Sequence, residues 1–207
     1  MFKDYIWDFD GTLYDTYPVM LEGYMKTLEN FKVDADSQEV YKILKESSSK
    51  KVAERYELEF EPFTDFFHAW EAADTRVPNS FKGAKEVLEA VVANGGKNYI
   101  LTHRKVGSTK ELLAAEGLLD LVVEIVGPDN NFPRKPDPTS LLYLVDKYGM
   151  DQAQTAMIGD RTMDVLAGEA AGVKTVFFDI DYLLEGIKAD AVTHSMTDLL
   201  QLITTKD

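Results

Sequence analysis

The chain has 207 residues, 45% of them hydrophobic, with 36 Asp and Glu against 22 Lys and Arg for a formal charge of -14, and no cysteine. That length and apolar content suffice for a substantial core, divided into one large domain and a smaller one. The charge excludes a general attraction to nucleic acid or anionic membrane, and the missing cysteine excludes disulfides, thiolate catalysis and thiolate metal sites.

The opening Met1-Phe2-Lys3-Asp4 carries no apolar signal region, and no later apolar run is long enough to cross a bilayer, so a soluble cytoplasmic protein is expected. The strand-forming run Tyr5-Ile6-Trp7 stops at Asp8; Asp10 follows two positions later and Gly11 lets the backbone turn. Two readings of this stretch are open: two acids at the mouth of a sheet where ligands arrive, or a buried strand ending in an ordinary Asp-Gly turn.

After Asp15 the apolar spacing becomes helical. Met20, Leu21, Tyr24, Met25 and Leu28 predict a helix over 17–31, Ser37 a cap for a second, 50–56 a third, and Pro62 the first turn of a fourth over 63–73. The aromatics of that fourth helix, Phe63, Phe66, Phe67 and Trp70, fit a packed helical core better than a substrate pocket. His68 and Arg76 either approach a site or face water. From Asn79 or Ser80 onward strand and helix alternate, the mark of a parallel sheet covered on both faces. Strands are expected over 98–102, 121–126, 155–158, 175–178 and 191–193. Helices are expected over 81–94 behind Ser80, 108–116 behind Ser108, 138–148 behind Pro138, 163–171, and 197–203 behind Thr197.

Polar residues fall at the ends of these strands. Thr102 closes one strand, Lys135 lies in the loop Arg134-Lys135-Pro136-Asp137-Pro138, and Asp160 and Asp164 follow another strand. Each alone has a bland reading: a backbone-bonded Thr, a solvated Lys, a helix-capping Asp. Together they supply a nucleophile, a second acid, a hydroxyl, a cation and a carboxylate pair, a set suited to phosphate chemistry with a magnesium ion.

In Asp8-Phe9-Asp10-Gly11-Thr12, Thr102, Lys135 within Lys-Pro-Asp-Pro, and Gly159-Asp160-Arg161-Thr162-Met163-Asp164, the sequence resembles the haloacid dehalogenase-like hydrolase superfamily, nearest its phosphoglycolate-phosphatase-like branch. The resemblance implies an α/β fold: a Rossmann-like parallel sheet flanked by helices over 1–13 and 79–207, with an inserted α-helical cap domain over 14–78. It also implies roles. Asp8 is the nucleophile that forms an aspartyl-phosphate. Asp10 protonates the leaving oxygen, deprotonates the attacking water, and offers its backbone carbonyl to Mg2+ beside Asp8 and Asp160. Asp164 holds the ion directly or through water and orients Lys135, while Lys135 and Thr102 bind phosphoryl oxygens. His103 and Arg104 stand where many relatives carry Asn or Ser; His103 bonds substrate, bonds the cap, or is a surface histidine beside a helix start.

The implied activity is magnesium-dependent hydrolysis of a small phosphorylated metabolite, by a monomer or homodimer. A phosphomutase of the beta-phosphoglucomutase kind uses the same nucleophile and is the alternative, ahead of a non-catalytic binding protein. A dehalogenase needs neither the second acid nor the metal pair.

Overall fold

The computed structural model describes residues 2–205, so residue 1 and residues 206–207 of the expected core lie outside the described residues. The chain forms two compact units: one made of the residues up to Asp15 and those from Asn79 on, the other of Thr16–Pro78.

In chain order the elements are β1 (Asp4–Trp7), α1 (Tyr17–Asn30), α2 (Ser37–Glu46), α3 (Ser49–Arg55), α4 (Phe60–Ala73), α5 (Ala84–Ala93), β2 (Lys97–Leu101), α6 (Val106–Ala115), β3 (Val122–Val126), α7 (Thr139–Tyr148), β4 (Thr155–Gly159), α8 (Thr162–Ala170), β5 (Lys174–Phe178), β6 (Ala191–Thr193) and α9 (Met196–Thr204). The larger unit is an α/β fold with a parallel six-stranded sheet in the order β3-β2-β1-β4-β5-β6. Strand order reverses direction beside β1, which makes its carboxyl end the crevice where such sheets place ligands.

The β1 residues alternate between two buried faces. Tyr5 and Trp7 join a cluster with Val87, Leu88, Ile100, Ile158 and Leu199, whereas Ile6 joins Tyr99, Leu101, Leu141, Leu144 and Met157 on the other side. A strand buried on both faces is apolar throughout, which is why Tyr5-Ile6-Trp7 lacks polar alternation. Trp7 pairs in register with both Ile100 of β2 and Ile158 of β4, each one residue short of its strand's end, so the three strands end within one residue of each other. The Trp7 indole N–H donates to Asn98 Oδ1 at 2.9 Å, and the Asn98 amide donates to the Leu88 and Leu121 carbonyls at 3.0 and 3.1 Å. This satisfied buried amide fixes the residue before Asp8.

Helix starts are where local sequence misleads. The helix expected from Ser80 begins at Ala84, behind Gly83 at φ +100°, because Ser80 is drawn to Glu116 through its N–H at 2.9 Å and its hydroxyl at 2.5 Å. The helix expected behind Ser108 begins at Val106, whose N–H donates to Asp129 Oδ2 at 2.7 Å, a cap supplied from the end of another strand. Asp36 caps α2 by accepting from the Glu39 N–H at 2.8 Å, and Ser195 caps α9 by accepting from the Asp198 N–H at 3.1 Å, one and two residues before the expected Ser37 and Thr197.

The smaller unit is α1 to α4 around its own core. Tyr24, Leu28, Val40, Leu44, Val52, Phe63 and Phe67 are buried in it, with the Tyr24 and Phe67 rings stacked at 4.0 Å. Phe63 and Phe67 are thus core residues. His68 is exposed beside Glu71 at 3.4 Å, and Arg76 pairs with Glu22 at 2.7 Å and Asp74 at 2.5 Å within this unit.

Candidate active site

β1 delivers Asp8 directly beyond its last paired residue, and the chain then folds tightly back on itself. The Phe9 carbonyl accepts from the N–H groups of Leu13 and Tyr14 at 3.0 Å, and Gly11 takes φ +82°, a conformation that favours glycine. The Asp-Gly turn and the pair of acids at the sheet mouth therefore coexist.

Four ionisable groups meet in the buried interior of this edge. Lys135 Nζ lies 2.7 Å from Asp8 Oδ1 and 2.6 Å from Asp164 Oδ1, and it donates to the Leu101 carbonyl at 2.9 Å. Asp8, Asp160 and Asp164 each present an oxygen within 4.8 Å of the other two. Asp160 accepts from the Thr12 hydroxyl at 3.2 Å, and Thr12 is fully buried. Asp164 sits in the first turn of α8, where its Oδ2 accepts from the Arg161 N–H at 3.1 Å. It caps the helix and faces the lysine at once. Gly159 makes room for this, since a Cβ there would collide with the Asp164 carboxylate.

Acidic groups outnumber the lysine in this cluster. Lys135 pairs with two of the three buried carboxylates, Asp8 and Asp164, and Asp160 stands close to both. Burial pushes the Asp8 carboxyl well above the usual range; Lys135 opposes this, and Asp164 and Asp160 add to it by repulsion. Burial pulls Lys135 down, but the Asp164 and Asp8 carboxylates outweigh that and hold it above its ordinary value. Three crowded carboxylates offering only oxygen ligands fit a hard divalent cation.

The remaining polar residues lie around this interior. The buried Thr102 accepts the Arg104 N–H on Oγ1 at 3.0 Å, which leaves its own proton for another acceptor. His103 Nε2 accepts from the Lys135 N–H at 3.2 Å, so this nitrogen is unprotonated. Burial, reinforced by Lys135, Arg134 and Arg161, lowers the His103 pKa to about 2. The histidine thereby holds the loop that carries Lys135. Asp10 stands apart from the carboxylate cluster, its side chain gripped by the Arg104 guanidinium: Nη2 to Oδ1 at 2.7 Å, Nε to Oδ1 at 3.0 Å and Nε to Oδ2 at 3.2 Å.

Thr12 and Arg104 were given no role by the sequence reasoning. Thr12 is signalled only by its place in the Asp-x-Asp-Gly-Thr run. Arg104 is signalled by being a cation two residues after a strand-end Thr in an acidic chain.

A six-stranded parallel sheet carrying an aspartate beyond its central strand, with a lysine and two further aspartates around it, defines an α/β protein with an acidic site at the carboxyl ends of its strands. The model of the haloacid dehalogenase-like hydrolase family matches residues 5–178, and the chain belongs to that family. It is 30% identical over 199 residues to a phosphoglycolate phosphatase of Rhodospirillum rubrum, covering 89% of this chain and 83% of the relative. It is 26% identical over 212 residues to the pyrophosphatase PpaX of Halalkalibacterium halodurans, covering 97% and 96%. Among solved structures, a hydrolase from Streptococcus pneumoniae superposes with a TM-score of 0.61 at 33% identity, over 84% of this chain and 91% of that one. A predicted phosphoglycolate phosphatase from Haemophilus somnus superposes at 0.79 with 23% identity over 97% of each, a likeness of fold. The chain is an enzyme of this family, a phosphatase. Among the described residues no helix is long and apolar enough to cross a membrane.

Proposed function

We propose that this phosphatase is magnesium-dependent and hydrolyses a small phosphorylated metabolite in the cytoplasm through an aspartyl-phosphate on Asp8. The observation that carries the reading is the buried cluster itself: Asp8 on Lys135, with Asp160 and Asp164 close enough for one ion. Asp8, Asp160, Asp164 and the backbone carbonyl of Asp10 are the groups that would hold magnesium. When bound, the ion supplies charge neutralisation that keeps Asp8 ionised in its buried site and offsets the charge of the phosphoryl group.

The chain's own residues divide the remaining work. The Asp8 carboxylate attacks phosphorus, with Lys135 and the Thr102 hydroxyl steadying the phosphoryl oxygens. Asp10 gives its proton to the leaving oxygen and afterwards takes one from the water that attacks the aspartyl-phosphate. His103 acts through Lys135, by holding the backbone of its loop. Residues 16–78 serve as the cap domain that sets which leaving groups are accepted.

The test is release of inorganic phosphate from a panel of phosphorylated metabolites with magnesium, led by phosphoglycolate and pyrophosphate because the relatives' names point there. Turnover of at least one is expected, lost on exhaustive chelation, restored by magnesium and abolished in Asp8→Asn. Activity that survives chelation removes the metal from the reading, and phosphate transfer to sugar without release of inorganic phosphate makes the enzyme a mutase.

A further inference from the structure

The residue with the most elaborate attachment to the acid-base group is Arg104, and its attachment is asymmetric. Asp10 Oδ1 accepts two N–H bonds from the guanidinium, at 2.7 and 3.0 Å, whereas among the described residues Oδ2 receives only the shared Nε–H at 3.2 Å. One carboxyl oxygen is therefore anchored and the other nearly released. A carboxyl proton placed on Oδ1 would cost two bonds, one of them the shortest of the three; placed on Oδ2 it costs only the weakest contact.

Arg104 is itself held from several sides. Its Nη1 donates to the Ser108 hydroxyl at 3.4 Å in the first turn of α6, and its guanidinium lies 6.0 Å from the centroid of the buried Phe9 ring. Its backbone N–H donates to Thr102 Oγ1, and its carbonyl packs so closely on Gly127 that a Cβ at that position would stand 2.7 Å from the oxygen. The arginine is thus fixed by the ends of β1, β2 and β3 and by α6. Both side chains of the Asp10–Arg104 pair are 20% exposed, so the fork is neither sealed in nor loose in solvent.

We propose that Arg104 is a positioning residue for Asp10, anchoring Oδ1 so that Oδ2 is the oxygen that carries the proton to and from the reacting groups. This rests on the acid-base reading of Asp10. In the first step an Asp8 oxygen bonds phosphorus as the bond from phosphorus to the leaving oxygen breaks. That oxygen takes the proton from Asp10 Oδ2, leaving Asp10 a carboxylate. In the second step a water oxygen bonds phosphorus, the bond from phosphorus to Asp8 breaks, and Oδ2 takes the water's proton. Arg104 neither gains nor loses a proton. Its contribution is to keep one oxygen aimed through both steps.

The role predicts a signature that simple structural support does not give. Alkyl leaving groups need the proton in the first step, whereas aryl leaving groups depart readily without it. In single-turnover phosphorylation with saturating magnesium, Arg104→Met should slow an alkyl phosphate by about 10²-fold and p-nitrophenyl phosphate by less than about threefold. Substrate affinity should be unchanged. Arg104→Lys, which keeps the charge without the fork, should restore part of the alkyl rate. In an Asp10→Asn background, where there is no carboxyl proton to aim, adding Arg104→Met should change nothing further. Gly127→Ala, which displaces the Arg104 carbonyl without touching the guanidinium, should show the same alkyl bias in weaker form and keeps the test open should the Met variant fold poorly. Equal losses for both esters, weakened substrate binding, no loss, or full additivity with Asp10→Asn would overturn the proposal. Asp10→Asn measured alone separates the two levels. An alkyl bias in that variant without one in the Arg104 variants defeats only the role of Arg104, and no bias in Asp10→Asn defeats the acid-base reading beneath it.

Discussion

The inner cluster at the end of β1 and the outer pair two residues along the same turn are both carboxylate-cation contacts of similar length, yet they are physically opposite. Lys135 is almost wholly buried against Asp8 and Asp164, with Asp160 close by, whereas Arg104 grips Asp10 at a site one-fifth exposed. In the interior, charges are expensive to bury and neighbouring carboxylates repel with no solvent to screen them; at the rim, water shares the load. The difference teaches that two aspartates separated by one residue are built for different tasks. Asp8 is held among crowded buried carboxylates against Lys135, and Asp10 at a partly exposed rim in the grip of Arg104.

The most direct way to break this comparison is to remove each cation in turn. Lys135→Met leaves its buried carboxylates without their partner and should cost about 3–5 kcal/mol of stability in chelator, along with all turnover, whereas Arg104→Met should cost about 1 kcal/mol or less. Urea unfolding of both variants reads this, and similar losses would show that burial does not distinguish the pairs. A smaller effect sharpens the same point from the ligand side. Magnesium at about 100 times its dissociation constant should stabilise the protein by roughly 2.7 kcal/mol. Asp160→Asn should lose most of that gain, while Arg104→Met keeps it because its pair lies outside the cluster. Thermal or urea unfolding with and without magnesium decides it independently of activity, and an Asp160→Asn protein stabilised as strongly as the wild type would place the ion elsewhere.

Legibility in the sequence follows the same division. Strand-helix alternation after Asn79 was readable because strands buried on both faces are near-continuous apolar runs, and the polar residue that ends each run is conspicuous: Asp8 after Trp7, Thr102 after Leu101, Asp160 after Gly159. The pattern could place these residues at one edge but could not say which of them touch, because the Lys135 contact with Asp8 spans 127 positions. Partners drawn from remote loops were illegible for the same reason. Val106 is capped by Asp129 and Ser80 is diverted to Glu116, so two helices begin where no local signal marks them. In the sequence Arg104 stands out as a departure from the Asn or Ser of relatives and not as a partner for Asp10, since only the fold brings residues 94 positions apart into one fork.

The smallest expected effect concerns His103, which reverses the charge pattern of the carboxylate cluster: a neutral group crowded by cations. Its Nε2 accepts the Lys135 N–H, and burial together with Lys135, Arg134 and Arg161 brings its pKa from the usual 6.5 to about 2. The sign of the linkage follows directly. Between those two values the unfolded chain binds a proton on this histidine and the folded chain does not, so this group's contribution is complete above about pH 6.5 and declines as pH falls toward 2. His103→Gln offers a neutral acceptor to the same N–H without titrating. Between pH 7.5 and 5.5 the wild type should therefore lose up to about 1.4 kcal/mol more stability than the variant in urea unfolding without metal. Parallel losses across that interval would mean that the ring is protonated in the folded protein at pH 5.5, and that its bond to the Lys135 backbone is not what holds the loop.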